Sequence, residues 1–127
     1  IGESFKRTSG REDSFYGKLY RERKEREVKY NTEGRFAQNA LDRLADANKK
    51  HRKISPEQRE IWASGKIQPV GLDRRAMRYA VKIFVSHWHS VGREIMGLPL
   101  VKPWVLAHQP DIHSQYIPPP LWPIKKV

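Results

Sequence analysis

The amino-acid sequence predicts a mainly α fold: a small helical domain of about four helices, with an extended basic N-terminal arm and a Pro-rich extended C-terminal tail. Three observations support this class. Apolar residues within 31–97 recur at steps of three and four, the period of an amphipathic helix. Ser55-Pro56 and Gly97 are typical helix-start and helix-stop signals. Seven of the nine prolines lie in 98–127, where they disfavour helices and central strands.

Residues 1–30 are predicted to form a basic arm followed by a charged helix. Residues 1–14 are polar and indicate the arm, and the helix is expected from about Glu12 to Tyr30. Charges alternate in sign along residues 21–27, RERKERE. Such a run is typical of a solvated helix face held by salt bridges.

Residues 31–97 are predicted to be the helical core. The first helix of this core is expected over about residues 33–50, with Asn31 or Thr32 as its cap. A short helix should follow Ser55, because a serine there can cap the helix and the next residue is proline. Its expected end is near Ser64, with Gly65 after it.

The longest predicted helix covers about residues 73–96 and has two faces. Asp73 can cap its start, and an apolar stripe runs from Met77 to Ile95. We expect this stripe to pack against the helix at 33–50. The residues predicted for the shared core are Leu41, Leu44, Val81, Phe84 and Trp88.

The other face of the long helix is cationic. Phosphates require Lys or Arg at intervals along one face, and an Arg guanidinium can bond two phosphate oxygens. The candidate nucleic-acid-binding residues are Arg74, Arg75, Arg78, Lys82 and Arg93, with Lys49, Lys50, Arg52 and Lys53 as a second patch. If the five helix residues each neutralised a phosphate, log affinity would fall with log salt at a slope of about −4 to −5. The alternative interpretation is an ordinary solvated helix face.

Composition narrows the class of partner. The 25 Lys and Arg against 14 Asp and Glu give a formal net charge of +11, which attracts polyanions, most commonly nucleic acid.

The absence of cysteine excludes disulfides and thiol nucleophiles from this sequence. No apolar run approaches the roughly 18 residues of a membrane span. An intracellular location, including the mitochondrion or another organelle, is expected.

Histidines and carboxylates suggest little chemistry. His87 and His89 point about 200° apart on a helix, so they do not converge on one metal ion. Asp111 lies close to His113 in the tail, but nothing in the sequence places them in a shielded pocket. We therefore expect no metal, no cofactor and no enzymatic activity.

The tail, residues 98–127, combines prolines with many large apolar side chains. We expect it to wrap its own domain or neighbouring proteins of an assembly; a proline-rich ligand is the alternative.

The predicted function is a non-enzymatic, nucleic-acid-binding structural component of a large assembly. A ribosomal or organellar ribosomal protein that contacts rRNA phosphates fits this description, with RNA favoured over DNA. The alternatives are a DNA-binding module of a transposase-like mobile-element protein and a supernumerary scaffold subunit of an organellar complex without nucleic acid.

Overall fold

The computed structural model describes residues 1–109 and 115–122, and this part of the chain is helical with no strand. It confirms the mainly helical class, with more helices than the expected four. The six helices are α1 (Gly2–Arg7), α2 (Phe15–Thr32), α3 (Ala37–Lys49), α4 (Pro56–Ala63), α5 (Pro69–Ile95) and α6 (Trp104–His108).

The start of the chain differs from the predicted extended arm, which is not confirmed. Helix α1 forms there and packs against both α2 and α5. Its end lies very close to the first turn of α2, since a side chain at Gly17 would come within 2.7 Å of the Thr8 carbonyl oxygen. Ser14 caps α2, because its hydroxyl accepts a hydrogen bond from the Gly17 amide at 3.2 Å.

Helix α5 packs along α2, and the core between them is built on small side chains. Tyr20, Ala76 and Ala80 are buried there, with Phe5 and Met77 packed around them. The alanines let the two helix backbones approach closely. The buried side of α5 is therefore turned by roughly 70° from the stripe of large residues that the sequence suggested, at about 100° per residue.

This rotation decides which core predictions hold. Val81 and Phe84 are half-buried. Trp88 is 70% exposed, so its assignment to the core was wrong.

The expected pairing of the 33–50 helix with the long helix was also wrong. Helix α3 packs against α4 instead and forms a second cluster of buried residues, Ala40, Ala47 and Trp62. Leu44 packs against this cluster rather than against the long helix, and Leu41 is 45% exposed. The described residues therefore form two small cores rather than the single one expected.

Several helix ends follow the predicted signals. The Ser55 hydroxyl accepts from the Gln58 amide at 3.1 Å and caps α4, and Gly65 follows that helix with φ +77°. Gly97 follows α5 with φ +67°, in the left-handed region that glycine favours. Helix α5 begins at Pro69 rather than at Asp73. Proline fits the first helical turn, where its missing N–H leaves no unmet hydrogen bond.

Asn31 does not cap α3, which begins at Ala37. Its side-chain amide instead bonds both main-chain groups of Ile67. The Ile67 N–H donates to Asn31 Oδ1 at 2.8 Å, and Asn31 Nδ2 donates to the Ile67 carbonyl at 3.0 Å. This contact ties the end of α2 to the segment that leads into α5.

The predicted extended tail is not confirmed, since part of it forms α6 (Trp104–His108), but two of its later residues bond to α5. The Trp122 indole N–H donates to Glu94 Oε2 at 2.7 Å, and the Ile117 carbonyl accepts from a ring nitrogen of His87 at 2.6 Å. Within the described ranges, no helix combines the length and the apolar character needed to cross a membrane.

Candidate nucleic-acid interface

Three cations of α5 form an exposed row. Arg74, Arg78 and Lys82 follow one another at intervals of one helical turn, about 6 Å along the axis. None of them forms an ion pair within residues 1–109 and 115–122, although Glu3 lies at the edge of the same open cleft. This cationic row therefore keeps its charge available to an external anion.

Arg75, a member of the predicted stripe, is engaged inside the protein. Its Nε donates to Glu27 Oε2 at 2.8 Å, and its guanidinium lies 4.5 Å from the centre of the Phe36 ring. Glu27 is fully buried, so its charge requires a partner of opposite sign.

Arg23 is the second partner of Glu27. It reaches Glu27 Oε1 with Nη2 at 2.6 Å and with Nε at 2.7 Å, and its guanidinium lies 4.9 Å from the Tyr79 ring centre. The segment RERKERE thus contains salt bridges as expected, but it is not a fully solvated face. Its last glutamate anchors α2 to α5 through an Arg–Glu–Arg triad.

Arg93 is also engaged, because its Nε donates to the Pro99 carbonyl at 2.6 Å. Of the five predicted phosphate contacts on α5, Arg75 and Arg93 therefore hold internal acceptors, while the three residues of the cationic row have none among the described residues.

The second predicted patch is partly neutralised. Asp46 pairs with Lys50 at 2.7 Å and with Arg52 at 3.6 Å. The hydrogen bond from Lys50 is the main reason that the pKa of Asp46 lies below its usual value. Lys49 and Lys53 are exposed and form no ion pair within the described residues. This patch therefore offers less free charge than its sequence suggests.

Asp73 does not cap α5 but lies buried at the junction of α1, α2 and α5. Its carboxylate is bonded by Lys6 at 2.7 Å, by Lys24 at 3.0 Å and by the hydroxyl of Tyr20. Burial opposes ionisation, but the hydrogen bonds from Lys6, Tyr20 and Lys24 outweigh it and hold the pKa of Asp73 well below its usual range. The carboxylate is therefore shared between two cations inside the protein.

His87 is buried, with both of its ring nitrogens bonded. Its Nε2 lies 2.6 Å from the Ile117 carbonyl, which only accepts, so Nε2 carries the proton. Nδ1 then accepts from the Tyr16 hydroxyl at 2.9 Å. Burial lowers the pKa of His87 despite the bond to Ile117. The neutral ring thereby links α2, α5 and the tail.

The other ionisable candidates remain apart. His89 is exposed, and His108 bonds the Trp104 carbonyl within α6. In the parts of the chain that the structure covers, no group of three metal-ligating side chains occurs. Asp111 and His113 lie outside the described residues.

The sequence interpretation missed Trp88 as a surface residue, because its spacing fits the apolar stripe. Comparison with known proteins adds no further assignment: no family model, no curated protein and no solved structure matches this chain.

Proposed function

We propose that this protein is a non-enzymatic, nucleic-acid-binding structural component of a larger assembly, with RNA as the preferred partner. A ribosomal or organellar ribosomal protein is the class that we favour. The observation that carries the proposal is the cationic row, Arg74, Arg78 and Lys82. Elsewhere on α5 the arginines have internal acceptors, whereas these three side chains project into solvent without one among the described residues.

The geometry of the row suits a phosphate backbone. Side chains one turn apart repeat at about 6 Å, and each can approach a separate phosphate. Each cation that neutralises a phosphate contributes about −0.9 to the slope of log affinity against log salt for a duplex, and about −0.7 for a single strand. Three such contacts give a slope of about −2 to −3 from α5, smaller than the sequence alone suggested.

The test is charge reversal within the row. We expect Arg74→Glu with Arg78→Glu to abolish salt-dependent binding of the purified protein to RNA. Both side chains are exposed, so circular dichroism should show an unchanged helix content. Lys18→Glu with Arg26→Glu makes the same change in charge at exposed positions of α2 and serves as the matched control. Equal losses in both double variants, or no loss in the first, would contradict the proposal.

Nuclease treatment of the protein as purified distinguishes RNA from DNA. Copurifying nucleic acid that RNase removes supports the ribonucleoprotein assignment, whereas DNase sensitivity supports the DNA-binding module of a mobile-element protein.

A scaffold subunit that binds only proteins is a second candidate. It is supported by Ile95, Met96 and Leu98, which are exposed at the end of α5 and just beyond it. In that case the protein would bind neither RNA nor DNA at any salt concentration, and the charge-reversed variant would still enter its complex.

A further inference from the structure

Trp88 is a large aromatic side chain that the fold leaves uncovered. It is 70% exposed, and within the described residues it has no aromatic neighbour and no hydrogen-bond partner. Helix α1 covers the same side of α5 as far as Phe84: Gly2 lies against Met77 and Val81, and the Phe5 and Phe84 ring centres are 5.6 Å apart. Because α1 ends at Arg7, nothing in the described chain continues this cover along to Trp88.

Trp88 lies farther along α5 than the cationic row, and it is turned from Arg78 by about 80° around the helix axis. At about 100° per residue, Val85 lies within about 20° of Arg78 around the helix axis, and Trp88 lies about 60° from Val85. Along the axis, Trp88 is about 9 Å beyond Lys82. Val85, between them, is itself 46% exposed, so the surface that joins the charges to the indole is open to solvent at that point.

The residue one turn after Trp88 leaves space beside the ring. This residue is Gly92, and a side chain built there would meet nothing within 4 Å. His89, next to Trp88, is also exposed. A flat ligand can therefore approach the indole from the far end of α5.

We propose that α5 binds single-stranded nucleic acid, with Trp88 stacking on an unpaired base while Arg74, Arg78 and Lys82 hold the phosphates. This proposal rests on the function proposed above and names the form of nucleic acid. A duplex hides the faces of its bases, whereas a single strand offers them to an aromatic ring. The 14 residues from Arg74 to Trp88 span about 21 Å, which matches about six nucleotides stacked at 3.4 Å each.

Stacking is distinguished from apolar docking by the substituent at position 88. Trp88→Leu keeps an apolar side chain that favours helices but has no aromatic face, whereas Trp88→Phe keeps the aromatic face. Trp104→Leu is the matched control. Trp104 is 63% exposed, but one face of its ring already stacks on His108, with centroids 4.5 Å apart.

The experiment measures affinities of the full chain for three probes. These are an unstructured RNA of about twelve nucleotides, the same sequence as a perfect duplex, and inorganic polyphosphate, which has the charges without the bases. We expect Trp88→Leu to weaken binding of the single strand by about 5- to 150-fold, the range for one stacked base, with duplex and polyphosphate binding unchanged. Trp88→Phe should restore most of the loss, and Trp104→Leu should match the wild type.

The outcomes separate this proposal from the one on which it rests. If Trp88→Leu binds the single strand as well as the wild type does, stacking is refuted while the phosphate contacts stand. If leucine and phenylalanine behave alike, Trp88 acts as an apolar contact, such as a protein docking site, and stacking is again refuted. If no probe binds even the wild type, the nucleic-acid function itself fails.

Discussion

Arg74 and Arg75 are adjacent on α5, yet the structure gives them different environments. Replacing each separately with methionine, which keeps an unbranched side chain, tests this difference. A hydrogen bond to a charged group contributes about 1.5–3 kcal/mol, and a cation over an aromatic ring adds about 0.5–1 kcal/mol. Arg75 makes one of each, to Glu27 and to Phe36. Since the Arg75 side chain is 32% exposed, water screens part of this sum.

We therefore expect Arg75→Met to lower the free energy of unfolding by about 2–3 kcal/mol, leaving the buried Glu27 with Arg23 as its single partner. Arg74→Met should change it by less than about 0.5 kcal/mol, as exposed substitutions usually do. Urea unfolding followed by circular dichroism measures both values. Binding should show the opposite order, because Arg74→Met reduces the salt slope for RNA and Arg75→Met does not. Equal stability losses, or equal changes in slope, would refute the division between the two arginines.

Two further predictions concern the packing of α2. Because burial lowers the pKa of His87, the unfolded chain binds a proton at higher pH than the folded chain does. The contribution of His87 to the free energy of unfolding should be complete above about pH 6.5 and should fall as the pH drops below it. His87→Gln should lack this pH-dependent contribution. If urea titrations show that the free energies of unfolding of the two proteins change in parallel with pH, the prediction is contradicted. Gly17→Ala should destabilise by about 1–3 kcal/mol, because the added methyl group would lie 2.7 Å from the Thr8 carbonyl oxygen. Gly92→Ala, in open space, should instead raise the free energy of unfolding by about 0.4–1 kcal/mol. If urea unfolding shows a similar effect for both substitutions, the Thr8 carbonyl does not lie close to Gly17.

Local signals along the chain predicted helix ends well. Ser55 and Pro56 start α4, and Gly65 and Gly97 follow helices in the left-handed conformation. Such signals depend on residues within one turn, so the sequence displays them directly. The start of α5 was placed too late because Asp73 resembles a cap, while Pro69 supplies the actual first turn.

Pairing between helices was harder to predict, because it depends on residues far apart in sequence. Periodicity favoured the stripe from Met77 to Ile95 as the buried face of α5, but the close contact with α2 is made by Ala76, outside that stripe, and by Ala80, at its edge. The charge run of α2 resembled a solvent-facing surface, and nothing local showed that Glu27 would meet Arg75. The same limit applies to the candidate site, since the sequence cannot distinguish a free arginine from one with a distant internal partner.

The contact between Asn31 and Ile67 makes the link between the end of α2 and the segment that leads into α5 dependent on an intact amide. The amide supplies both a donor and an acceptor, and Ile67 uses both. Deamidation would convert Asn31 to a carboxylate, which only accepts when ionised. The bond from the Ile67 N–H would survive, while the Ile67 carbonyl would lose its donor and face a negative charge. Replacing the side-chain amide nitrogen of Asn31 by oxygen would thus loosen the connection between α2 and the segment that leads into α5, without altering either core.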